Sequence, residues 1–112
     1  MPRNQLPPAD FTAGKWPDAE LVPDAPPEAV IGRALVLKLQ GRMKALKWSA
    51  REVARRAGVS HGTVNRVLAG EVLADTATIV RLELALQVDL YPAGLWAQIA
   101  ERAAPVADGG AA

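Results

Sequence analysis

Between residues 29 and 66 the chain carries nine cations, Arg33, Lys38, Arg42, Lys44, Lys47, Arg51, Arg55, Arg56 and Arg66, against the single anion Glu52. The chemistry open to such a block is anion binding. A local charge of +8 stands between acidic segments of −3 (residues 1–28) and −4 (residues 67–112), although the net charge is only +1. Catalysis has little to work with. There is no cysteine, which excludes thiolate nucleophiles, disulfides and thiolate metal sites, and one histidine cannot make a histidine pair. No nucleophile with a nearby base, no paired carboxylates, no metal-ligand spacing and no glycine-rich phosphate loop can be found. The expectation is a protein that is not an enzyme and holds no metal and no cofactor.

Inside and just past this block, AGVSHGTVNRV (residues 57–67) reads as the start of a helix that places Gly62 in its first turn and the lone His61 beside it. Both residues favour helix poorly, which suggests a face shaped for something other than the protein's own core.

The elements that must carry this face are helical. Val30, Ile31, Ala34, Leu35, Leu39, Met43 and Leu46 recur three and four apart on a long first helix. Ser49 and Glu52 form a capping box that starts a second helix near Ala50, and Gly58 closes it. Ser60 caps a third helix ending near Gly70. Asp75 or Thr76 caps a fourth, and Pro92 suits the first turn of a fifth that runs to about Ala103. No strand signal appears. Seven of the nine prolines fall in residues 1–28, too closely spaced for a regular element, so this acidic segment is expected to be a largely disordered tail. Its Phe11, Trp16, Leu21 and Val22 leave loose packing on the domain or on a partner open. The expected fold is all-α: a compact five-helix domain over residues 29–104, with a frayed end at 105–112.

Residues 50–69, AREVARRAGVSHGTVNRVLA, have the small residue, the bend glycine and the inward apolar positions that two steeply crossing helices need. This unit resembles the helix-turn-helix of the Cro and phage-repressor (XRE-like) family. AGVSHGTVNRVLAG is also similar to the recognition segment of lac-repressor-type regulators, but DTATIVRLELALQVDLYP resembles the fourth helix of the XRE-like type, and the chain has no room for a sugar-binding domain. The resemblance spans about residues 30–92.

What the resemblance implies is a sequence-specific double-stranded DNA-binding transcriptional regulator, more a repressor than an activator, with the helix from about residue 60 to 69 in the major groove. Base reading would fall to His61, Gly62, Asn65 and Arg66, with the Arg66 guanidinium matching guanine O6 and N7. Gly62 departs from the family's usual long polar residue and shifts the reading toward Arg66. Lys44, Lys47, Arg51, Arg55, Ser60 and Thr63 would hold phosphates. Leu95, Trp96 and Ile99 exceed what an edge helix needs to bury and are candidates for a homodimer face. Trp48 is expected to staple the start of the second helix. The alternative function is an antitoxin or phage-derived adapter that holds a protein partner through residues 1–28. The sequence shows neither the apolar run of a signal peptide nor that of a membrane span, so the expected setting is the cytoplasm, in association with the nucleoid.

Overall fold

The computed structural model, which describes residues 6–103, has five α-helices: α1 (Pro27–Leu46), α2 (Ala50–Ala57), α3 (His61–Leu68) and α4 (Thr76–Leu86) pack round one apolar core, and α5 (Trp96–Ala103) lies against α1. Among the described residues the only β pairing is one isolated antiparallel bridge, Thr12 to Leu21. Residues 1–5 and the end expected to fray at 105–112 lie outside the described residues.

Three of the four start signals act as the sequence predicts. Ser49 Oγ accepts the Glu52 N–H at 3.1 Å, Ser60 Oγ accepts that of Thr63 at 3.0 Å, and Asp75 accepts that of Thr78 at 2.8 Å. Pro27 opens α1, where its missing N–H costs nothing. The fifth start differs. A 3-10 turn at Ala93–Leu95 precedes α5, because the Glu83 carboxylate holds the Leu90 and Tyr91 N–H groups at 2.8 and 3.1 Å and keeps that stretch out of a helix. Those two bonds also lower the Glu83 pKa.

The core gathers Leu35, Val36 and Leu39 of α1, Val53, Ala54 and Ala57 of α2, Val64 and Val67 of α3, and Leu82, Leu86 and Leu90. The α1 stripe is rotated slightly from the expected one: Ala29 and Val36 are buried, whereas Val30, Ile31 and Ala34 are only half-buried.

Residues 6–26, expected as largely disordered, lie on the domain, so for these residues the loose packing their apolar side chains allow takes the place of disorder. A 3-10 turn at Pro8–Phe11 seats the buried Pro8 against α1 at Gly32. The chain then folds back, with the Val22 N–H donating to the Phe11 carbonyl and the Ala13 N–H to that of Glu20, both at 2.8 Å. Arg33 Nε donates to the Pro17 carbonyl at 2.8 Å, and Trp16 packs on the core. The prolines prevent regular structure but not docking, and Pro8, Trp16 and the Arg33 bond together hold the segment.

Candidate nucleic-acid interface

Helix α3 is fixed from beneath by Val64, fully buried, and Val67, 2% exposed, so 3.6-residue periodicity turns Gly62, Asn65 and Arg66 to solvent. His61 is half-exposed at the edge of that face. All four predicted base-reading positions therefore lie along one side of one helix. The Asn65 amide nitrogen and His61 Nε2 lie 3.2 Å apart, within hydrogen-bonding distance, which ties the two side chains together. The Arg66 guanidinium folds back along the helix over Gly62, where a Cβ would stand 3.2 Å from its terminal nitrogen. The missing side chain is thus occupied by arginine. Among the described residues no carboxylate pairs with Arg66.

Ser60 and Thr63 are engaged with each other: beyond the cap bond, their hydroxyls lie 2.7 Å apart. Both remain at the N-terminal end of α3, where backbone N–H groups point outward.

The basic block does not converge as a whole. Lys44, Lys47 and Arg51 are exposed at the α1–α2 junction and form no ion pair among the described residues. Arg55, also exposed, forms a fork with Glu52, its NH2 2.6 Å from Oε2, and Arg56 binds the same carboxylate while stacking 4.3 Å over the Trp48 ring. Hydrogen bonds from Arg55 and then Arg56 lower the Glu52 pKa to about 2. The reciprocal half of the expected capping box is replaced by this pair of bonds. Trp48 is half-buried against the core, as a staple should be, and also supports Arg56.

Two further cations have internal duties. Arg42 Nε donates to the Leu86 carbonyl at 2.8 Å, capping α4, and Arg33 holds the N-terminal segment. Arg81 lies in a stretch that is acidic in sequence. Its guanidinium stands at the α2–α3 bend, 3.7 Å from where a Gly58 Cβ would be. Only tertiary contact shows it there. Among the candidate dimer residues, Trp96 is 73% exposed, and Leu95 and Ile99 are half-buried. Val80 and Leu84 on α4 form a second exposed apolar pair, which their spacing alone does not distinguish from the core-facing residues of the same helix.

Among the described residues no helix is long and apolar enough to cross a membrane, and no group of three or more His, Asp or Glu could hold a metal ion. Residues 39–91 match the family model of a helix-turn-helix, which spans the end of α1 through α4. No curated protein and no solved structure matches the chain.

Proposed function

We propose that this chain, whose residues 39–91 are a DNA-binding helix-turn-helix domain of the Cro and phage-repressor type, is a sequence-specific transcriptional regulator that acts as a repressor and binds as a homodimer. The observation that carries the reading is the outward face of α3. A helix anchored by two buried valines offers on one side an amide, an imidazole and a guanidinium that no carboxylate pairs with among the described residues. That set of donors and acceptors suits base edges in a major groove.

In this reading Arg66 reads guanine, Asn65 with His61 reads a neighbouring base, and Gly62 lets the backbone approach closely. Lys44, Lys47, Arg51, Ser60 and Thr63 hold phosphates, while Arg55 reaches a phosphate only by sharing or leaving Glu52. The exposed Trp96, with Leu95 and Ile99 beside it, supplies the face for a second copy. The adapter alternative loses support, because the N-terminal segment spends Trp16 on its own domain.

The test is selection of genomic fragments by the purified protein near physiological salt, followed by sequencing. An enriched inverted repeat supports a dimeric reader and gives its half-site spacing. Fragments without a shared sequence would leave backbone binding alone.

A further inference from the structure

At the C-terminal end of α3 each of the last four carbonyls has a hydrogen-bond donor. The Ala69 N–H returns to the Asn65 carbonyl at 2.9 Å, the Gly70 N–H to Val67 at 3.0 Å and the Glu71 N–H to Arg66 at 3.0 Å, with Gly70 at φ +72°. This is a Schellman turn, and it satisfies three of the last four helix carbonyls. The fourth, Leu68, accepts from Trp16 Nε1 at 2.9 Å, across 52 residues of sequence.

The indole also fills the space beside Gly70. A Cβ there would stand 2.5 Å from Trp16 Cε2 and 2.8 Å from Ala9 Cβ, and the Ala9 N–H donates to the Gly70 carbonyl at 3.0 Å. The segment is also held along α1, where Pro8 is seated at Gly32 and Arg33 donates to the Pro17 and Asp18 carbonyls at 2.8 and 3.2 Å, and an apolar cleft of about 190 Å³, lined by Pro8, Trp16, Leu73 and Ile79 among others, lies beside it. Trp16 and Ala9 are the points at which the segment meets the C-terminal turn of α3.

We propose that residues 8–17 are a strap and that Trp16 is a positioning residue for base reading, an inference that rests on the function proposed above. The link is Arg66. Its own carbonyl is one of those held in the Schellman turn, so fraying of that turn would free the residue that carries the guanidinium. An eight-residue helix has little stability of its own. With the N-terminal end of α3 needed at the DNA, the strap holds the opposite end.

The test uses the full chain, a fragment enriched in the genomic selection and a random duplex of equal length. Trp16→Ala should lower the specific-to-random affinity ratio about fivefold or more, the equivalent of one net hydrogen bond. Affinity for the random duplex should stay unchanged, and hydrogen exchange of the Gly70 and Glu71 amides should speed up. Trp16→Phe, which keeps a ring but loses the N–H, should fall between, and it decides the matter if Trp16→Ala fails to fold. A merely structural role would weaken both duplexes alike; that result, or a wild-type ratio in a folded variant, overturns the strap. If the unmodified protein does not discriminate between the duplexes, it is base reading that fails, and the exchange rates then decide the strap, with unchanged protection overturning it.

Discussion

Helices α2 and α3 are each eight residues long, each begins at a serine whose hydroxyl accepts an amide three residues on, and each turns its apolar residues to the same core. Their outer faces differ. On α2, Arg55 and Arg56 converge on Glu52, so two cations are largely cancelled by one shared carboxylate within the helix that carries them. On α3, Arg66 has no acid beside it among the described residues and lies over a glycine. The difference teaches that a count of charges along a segment overstates what a ligand can meet. Of the nine cations in the block, Arg33, Arg42, Arg55 and Arg56 are engaged in the protein's own structure. What remains is Lys38 on α1, whose charge acts on Glu83, the exposed Arg66 on α3, and Lys44, Lys47 and Arg51 at the α1–α2 junction.

The most direct way to break the comparison is Arg66→Ala. It should cost about 1–3 kcal/mol at the preferred site and relax specificity at one base pair, while leaving a random duplex almost unaffected. Equal weakening of both duplexes in a binding titration would remove the distinction between the helices. Next in size are the caps. Ser49→Ala and Ser60→Ala should each lower unfolding free energy by about 1 kcal/mol in denaturant titrations. Only the second should also lower the specific-to-random ratio, because in the proposed function only α3 has its first turn against the base edges.

Much of this was legible in the sequence because it is local. The serine and aspartate caps, the bend glycine and the apolar spacing place α2, α3 and the start of α4 from residues that touch their own neighbours. What was not legible depends on distant contacts. Nothing near Trp16 announces that its indole will meet a carbonyl 52 residues away, and Arg81 reaches the bend only because α4 packs there. The ends of α1 and α4 show the same limit. Both close through a left-handed residue that is not glycine, Lys47 at φ 61° and Gln87 at φ 54°, each followed by a half-buried apolar residue, Trp48 or Val88, that the core draws inward. Burial of the next residue imposes the turn against local preference. Gln87→Gly should accordingly stabilise the fold by about 0.5–1 kcal/mol, the relief of left-handed strain less the glycine's greater entropy when unfolded, read as a rise in denaturation midpoint.

The smallest effect on folding should come from Glu52, since exposed ion pairs contribute little to stability. Its carboxyl is held at about 2 by Arg55 and then Arg56, below the ordinary glutamate range that the unfolded chain restores. A depressed folded-state pKa means that the stabilising contribution is complete above the unfolded value and is lost as pH falls from there through about 2. Between neutral pH and the ordinary carboxylate range, acidification should therefore leave the pair intact, and the Glu52 carboxyl signal in NMR should titrate near 2, moving up when Arg55 and Arg56 are both replaced by alanine. Binding should respond more than folding does. Glu52→Gln releases both guanidinium groups, so affinity for any duplex should rise at low salt and the dependence of log K on log salt should steepen by up to about two counterions. The specific-to-random ratio should not change, because the freed cations meet phosphates. A rise in that ratio would mean that α2 reads bases as well, and the contrast between the two helices would have to be drawn elsewhere.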